Sequence, residues 1–275
     1  MNSQAAQEKA GAIRKNIIEM LHAAGSGHPG GSLSCADIMA SLFFGGVMTY
    51  NPNDPKDETR DRFILAKGHA APALYATMAQ IGYIPEEELL TLRKLGTRLQ
   101  GHPDSNLLDC VEVSTGSLGQ GLSIAAGMAA GFVLENAPNR VFTILGDGEC
   151  QEGQVWEAAQ FAAHQNLGNL IAIVDSNGLQ IDGRIEDVCT VGSMTDKFQA
   201  FGWETYEVDG HDIDALISLL SSLKASDSPK PKAVIAHTVK GKGVSFMENQ
   251  AGWHGKAPND EETQIALEEL EVFCG

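Results

Sequence analysis

Positive charge is scarce in this 275-residue chain: 19 Lys and Arg stand against 36 Asp and Glu, a formal net charge of −17. A field of that sign repels nucleic acid and anionic membranes, so neither is an expected partner. No charge-free apolar run reaches the roughly 18 residues needed to span a bilayer. The first 24 residues carry Glu8, Lys9, Arg14, Lys15 and Glu19 among their apolar positions. That pattern excludes the apolar core of a secretory signal and makes the cytoplasm the expected compartment. The five cysteines, Cys35, Cys110, Cys150, Cys189 and Cys274, are scattered without a Cys-x-x-Cys pair. Neither a disulfide framework nor a zinc site is expected, and they read as reduced thiols. No Ser/Pro/Gly-rich linker, charge block or internal repeat divides the chain, so one α/β domain over 1–275 is expected.

Two apolar runs are present instead. Val141-Phe142-Thr143-Ile144-Leu145 ends in Gly146-Asp147-Gly148-Glu149, and Leu170-Ile171-Ala172-Ile173-Val174 ends in Asp175-Ser176-Asn177-Gly178-Leu179. Runs without polar alternation suit strands covered on both faces, as in a parallel sheet with helices on both sides. Open sheets of this kind bind ligands just beyond the carboxyl ends of their strands. Asn177 follows Asp147 by 30 residues, about the length of one strand-helix-strand crossover, which sets the two strand ends side by side. Taken singly, both segments are ordinary turns. Together they bring a carboxylate and an amide oxygen to one edge, a donor set for Mg²⁺ or Ca²⁺ completed by phosphate oxygens, and a diphosphate ligand is the natural expectation.

The rest of the chain reads in the same terms. Ala10, Ile13, Ile17, Ile18 and Leu21 recur at helical spacing, predicting a helix from residue 3 to about 24 closed by Gly25. Further helices are expected over 35–44, 71–82, 86–95 and about 154–165, and another from the Asp209–Asp212 turn to about Ala225. Arg62–Leu65 is a short strand emptying into Lys67-Gly68-His69, and Ala233–Val239 a last strand ending in Lys240-Gly241-Lys242-Gly243. Lys67 and Lys240 are either solvated charges or phosphate partners at a ligand-binding edge. Gly116-Ser117-Leu118-Gly119-Gln120-Gly121 is Gly-x-x-Gly-x-Gly, not the dinucleotide pattern, and opens a small-residue segment up to Ala130. His28, His69, His102 and His254 each lie beside a glycine, where backbone approaches a ligand closely or is merely flexible.

Gly146-Asp147-Gly148 with Asn177 resembles the thiamine diphosphate fingerprint. Gly27-His28-Pro29-Gly30, Lys67-Gly68-His69-Ala70, Gly101-His102-Pro103, Thr115–Gly121 and Trp253-His254-Gly255-Lys256 resemble the signatures of the transketolase family, in its order. The likeness covers nearly the whole chain and corresponds to the family's amino-terminal, diphosphate-binding domain. It implies transfer of a two-carbon ketol unit from a ketose to an aldose, the sugar or sugar-phosphate chemistry of the pentose phosphate type. It implies that Asp147, Asn177 and the Leu179 carbonyl hold Mg²⁺, with Ca²⁺ as the other candidate. His69, Gly116, Ser117, Leu118, Gly146, Gly148, Glu149, Lys240 and His254 are implied as cofactor contacts, and His28, His69, His102 and His254 as the donors and proton shuttles around the reacting atoms. Glu152 is implied in a carboxylate network between two active sites, and Lys67 and Lys256 as aids to phosphate or substrate. The closing motif is of the animal type, without the extra upstream histidine of microbial and plant forms. In this family a glutamate of the pyrimidine-binding domain activates the cofactor, so a separate carboxyl-terminal transketolase subunit is the expected partner, in an α2β2 assembly. Rival expectations are another thiamine diphosphate reaction, such as deoxyxylulose-phosphate synthesis or 2-oxoacid dehydrogenation, and a non-catalytic scaffold subunit. The glycine-flanked histidines disfavour the dehydrogenase, which has less sugar hydroxyl to recognise.

Overall fold

The computed structural model describes residues 3–190 and 192–274. Its amino-terminal part runs through α1 (Ser3–Ala24), α2 (Pro29–Ser34), α3 (Ala36–Phe44), β1 (Arg62–Leu65) and α4 (Ala71–Ile81). Then come α5 (Gln120–Glu135), β2 (Val141–Gly146), α6 (Gly153–His164) and β3 (Leu170–Ser176). A two-residue ribbon, β4 (Leu179–Gln180) with β5 (Gly183–Arg184), leads into α7 (Ile185–Val188) and α8 (Met194–Ala200). The remainder is β6 (Glu204–Asp209), α9 (Ile213–Lys224), β7 (Lys232–His237) and α10 (Asp260–Cys274).

Five of these strands form one parallel sheet in the order β1-β2-β3-β7-β6. Its two faces follow from strand periodicity, in which successive side chains point to opposite sides. Phe142, Ile144, Ile171, Ile173 and Val234 pack with Ile13, Met39, Leu74 and Leu216 from α1, α3, α4 and α9. Leu145, Ala172, Val174, Ala233 and Ile235 pack with Leu122, Ala159 and Phe198 from α5, α6 and α8. Helices therefore cover both faces, as the uninterrupted apolar runs require.

Several elements depart from the sequence expectation. The 86–95 helix is only a short 3₁₀ segment, Glu86–Thr91, because Arg93 (φ 60°) and Gly96 (φ 82°) adopt left-handed backbone and the Arg93 N–H closes a loop on the Leu99 carbonyl at 2.9 Å. The 35–44 helix is preceded by a further turn, α2, started by Pro29, whose fixed φ and missing N–H suit a first helical position. The small-residue helix continues past Ala130 to a left-handed Asn136. β6 has no counterpart in the sequence expectation, since Glu204-Thr205-Tyr206-Glu207-Val208-Asp209 is a half-exposed edge strand of mostly polar composition.

Register sets the carboxyl ends of β1, β2, β3 and β7 along one edge: Gly146 pairs with Asp175, and Ser176 with His237. The fully buried Asp175 ties this edge together. Its carboxylate accepts from Ser34 Oγ (2.6 Å), Lys67 Nζ (2.5 Å), Asn177 Nδ2 (3.2 Å) and the Thr238 hydroxyl. Burial alone would raise its pKa, but the Lys67 ammonium and these donors hold it below the usual carboxylate value. Three segments distant in sequence thus converge on one buried charge.

Candidate active site

At this edge His28, His69, His102 and His254 meet. Ring centroids lie 5.3 Å apart for His28 and His69, 5.4 Å for His28 and His254, 5.2 Å for His69 and His254, and 6.4 Å for His28 and His102. The glycines make the approach feasible. A Cβ on Gly68 would lie 2.6 Å from the Gly116 nitrogen, and one on Gly116 (φ 143°) 2.9 Å from the His102 ring. Burial, then neighbouring positive charge, depresses every one of these imidazoles. His28 falls to about 4, with Arg93 contributing, and His254 to about 4, with Lys240 contributing. His69 lies well below its ordinary value, and His102 is lowered. Near neutral pH each ring offers one N–H and one lone pair.

Beneath them is a cavity bordered by His69, His254, Leu118 and Lys240 and floored by the β2 and β3 ends. Asp147 Oδ1 accepts from the Gly148 N–H at 2.8 Å, and Oδ2 from the Gly178 N–H at 2.6 Å, so one carboxylate spans both strand ends. Burial, with Asp175 nearby, pushes its carboxyl up to about 6. Asn177 directs Nδ2 to Asp175, and Oδ1 accepts from the Leu179 N–H at 3.2 Å. The Leu179 carbonyl already faces a cation, because Lys240 Nζ donates to it at 3.1 Å. Asp147, Asn177 and Leu179 border the same cavity. Among the described residues there is no cluster of three or more His, Cys, Asp or Glu suited to a metal. The floor offers a mixed oxygen set with one carboxylate, which fits a hard divalent ion that keeps water or phosphate oxygens in its shell.

Glu149 lies 2% exposed under the Gly-rich loop, its carboxylate accepting from the Gly119 N–H (3.0 Å) and the Gly146 N–H (3.1 Å), and burial raises it to about 7. Gly146, Gly148 and Leu118 border the cavity, and Ser117, next to Leu118 in the chain, is exposed. Lys240 is buried, its Nζ 3.0 Å from His254 Nδ1, and burial brings its pKa down to about 8. Other expected site residues stand apart. Lys256 is half-exposed, paired with Glu262 at 2.7 Å and lying over the Trp253 ring at 4.1 Å. Glu152 is on the surface, its Cβ within 2.8 Å of the Cβ that Gly119 lacks.

Lys67 borders the cavity but is 1% exposed, and its ammonium is committed to Asp175 and to the Gly31 carbonyl at 2.6 Å. Replacing Lys67 by Met leaves Asp175 a buried, uncompensated charge. The expected cost is about 3–5 kcal/mol, measured by denaturant unfolding of the full chain. A lysine whose charge were spent only on a ligand would cost little.

Two residues are invisible to sequence reading. Asp175 looks like one more oxygen donor of a turn, and only the sheet register reveals it as the buried partner of Lys67. Arg93 lies across Gly101, whose absent Cβ would meet its guanidinium at 2.9 to 3.0 Å, with Nη2 3.5 Å from His28 Nδ1. No carboxylate pairs with Arg93 among the described residues. Its place within the expected 86–95 helix conceals it. A second, smaller cavity lies behind Pro103 and Thr115 but is lined mainly by core side chains such as Phe43, Phe63 and Met78. Convergent polar groups mark the histidine cavity as the functional one.

A parallel sheet whose carboxyl edge carries an oxygen-lined crevice under a ring of neutral imidazoles defines a cofactor-dependent α/β enzyme. Residues 5–272 match the family model described as transketolase, thiamine diphosphate binding domain. The chain is 42% identical to the 6-deoxy-6-sulfo-D-fructose transketolase subunit SqwG of Clostridium sp. (strain MSTE9), over 96% of each chain. It is 40% identical to an apulose-4-phosphate transketolase subunit from Phocaeicola vulgatus, over 94% of this chain and 90% of that one. Among solved structures, transketolase from Campylobacter jejuni superposes with a TM-score of 0.91 at 34% identity, covering 98% of this chain and 43% of that one. The chain belongs to the transketolase family and corresponds to its thiamine diphosphate-binding, amino-terminal part.

Proposed function

We propose that this chain is the amino-terminal subunit of a two-polypeptide transketolase, transferring a two-carbon ketol unit from a ketose to an aldose together with a carboxyl-terminal partner. The observation that carries this reading is the convergence of four neutral histidines over a cavity floored by Asp147, Asn177 and the Leu179 carbonyl. Two relatives of nearly the same extent are themselves named as subunits, which supports a partner chain, and two copies of each polypeptide is the assembly we infer.

In this reading Asp147, Asn177 and Leu179 hold Mg²⁺, and Lys240 and His69 face the cofactor diphosphate. The chemistry supplied by bound thiamine diphosphate is reversible attachment of the two-carbon unit at its thiazolium. The protein positions and polarises. His28 and His254, whose Nδ1 atoms face the Arg93 and Lys240 donors, each give a hydrogen bond to a sugar oxygen, and His102 gives one and accepts one, so that hydroxyl and carbonyl oxygens are oriented and protons moved at them without buried charge. Those two relatives are named for a sulfonated and a phosphorylated sugar. We infer an anionic sugar here as well, and Arg93, a cation without a carboxylate partner among the described residues at the mouth of the histidine cluster, suits its anionic end.

Asp147→Ala tests the metal floor. Removing the one carboxylate shared by both strand ends is expected to weaken Mg²⁺-dependent retention of thiamine diphosphate roughly 10–100-fold, the range in which metal sites respond to lost support. Cofactor titration followed by intrinsic fluorescence, with Mg²⁺ varied, measures this. Retention that ignores both the substitution and Mg²⁺ would overturn the assignment.

A further inference from the structure

Lys240 sits in a Lys-Gly-Lys-Gly turn, a poor place to fix a long flexible side chain. Gly241 takes a left-handed φ of 80°, and four rotatable bonds separate the ammonium from its own backbone. Yet Lys240 is 2% exposed, and its Nζ meets the Leu179 carbonyl and His254. What immobilises this turn is a set of residues outside the cavity lining.

His211, in the turn between β6 and α9, places Nδ1 2.7 Å from Asp37 Oδ2 and Nε2 2.8 Å from the Val239 nitrogen. A backbone N–H can only donate, so Nε2 accepts. The ring proton therefore resides on Nδ1 and goes to Asp37. The same carboxylate receives Arg14 through Nη1 (2.8 Å) and Nη2 (2.5 Å), while Arg14 Nε donates to the Lys242 carbonyl at 3.2 Å. Burial works against the charge on Asp37, but Arg14 and His211 overcome it and hold the carboxyl down at about 2. One buried carboxylate thus grips the chain at Val239 and at Lys242, before and after Lys240. The Gly241 N–H, donated to the Gly30 carbonyl at 3.0 Å, completes the clamp.

We propose that His211 and Asp37 are positioning residues for the cofactor diphosphate, touching no ligand themselves but fixing, through Val239 and Lys242, where Lys240 presents its ammonium. The proposal rests on the reading that Lys240 faces the diphosphate. An imidazole spanning a carboxylate and a backbone N–H is rigid and keeps one tautomer, as outer-shell partners do at metal sites. A clamp that served stability alone would have no reason to act through Lys240.

The test is isothermal titration of the full chain with inorganic pyrophosphate and Mg²⁺, with melting midpoints recorded in parallel. His211→Leu, which removes the acceptor for Val239, is expected to weaken pyrophosphate binding roughly 10–100-fold. His211→Gln, whose amide can accept from Val239 and donate to Asp37, should stay within about twofold. In a Lys240→Ala background the effect of His211→Leu should vanish, since no ammonium is left to place. The His211 side chain is 14% exposed, so the fold should tolerate these changes. If His211→Leu nonetheless lowers the melting midpoint, His211→Asn, polar but too short to reach from Asp37 to Val239, takes its place with the same expectation. Unchanged binding in the His211 variants, or an equal loss with and without Lys240, overturns the positioning role. Undiminished binding by Lys240→Ala alone overturns the diphosphate reading of Lys240 first, and the two failures are told apart by that single variant.

Discussion

Assayed alone with thiamine diphosphate and Mg²⁺, the chain is expected to give no ketol transfer above background, and mixing it with the carboxyl-terminal partner is expected to restore turnover. The reason lies in the cavity's own carboxylates. Asp147 is engaged by the Gly148 and Gly178 N–H groups, and Glu149 by those of Gly119 and Gly146. Both are spent on holding the strand ends and the Gly-rich loop together, so neither is placed to act on the aminopyrimidine of the cofactor. The remaining polar side chains around the cavity are imidazoles held neutral, two buried lysines and the amides of Asn177 and Gln180, none of them the carboxylic acid that the resemblance assigns to the pyrimidine-binding domain. Leu118 and Ile181, 37% and 66% exposed at the cavity, present apolar surface for a covering chain to bury. A coupled assay of ketose consumption, with and without the partner, reads the result. Ordinary turnover by this chain alone would overturn the need for a partner.

Much of this arrangement is legible in the residue order, for a physical reason. Strands buried on both faces must be apolar throughout, so Val141–Leu145 and Leu170–Val174 stand out against a charged background, and the crossover length between them sets Asp147 near Asn177. Gly68 beside His69 and Gly101 beside His102 record close approaches that larger residues would block, to the Gly116 backbone and to the Arg93 guanidinium. Where sequence reading stops, the determinants are tertiary. β6 is an edge strand whose polar side chains suit half-exposure, and no local pattern separates it from a loop. The 86–95 segment has helical composition, but left-handed Arg93 and Gly96 break it to carry a guanidinium to His28. Lys67 and Asp175 are each unremarkable alone, and their meaning emerges only when strand register puts one buried charge against the other.

Replacing His254 by Ala is expected to lower turnover of the assembled enzyme roughly 10²–10⁴-fold while leaving cofactor affinity nearly unchanged. Lys240 explains both halves of that expectation. Its ammonium can only donate, so His254 Nδ1, 3.0 Å away, must accept, and the imidazole proton resides on Nε2. Lys240 thereby fixes His254 as a donor in the histidine cluster, the state needed to steady developing charge on a sugar oxygen. Alanine removes that donor, yet Lys240 keeps its bond to the Leu179 carbonyl and its place at the diphosphate. The sign of the pH effect follows from the same contact. With His254 depressed to about 4 by burial and then by Lys240, acidification toward that value places a proton on Nδ1 against the ammonium, and activity should fall. At neutral pH and above the imidazole remains uncharged and contributes no step of its own to the profile. A kcat and KM comparison at neutral pH, with the thiamine diphosphate Kd measured separately, decides the matter: unchanged kcat would make the histidine cluster a scaffold for the cofactor rather than part of the reaction.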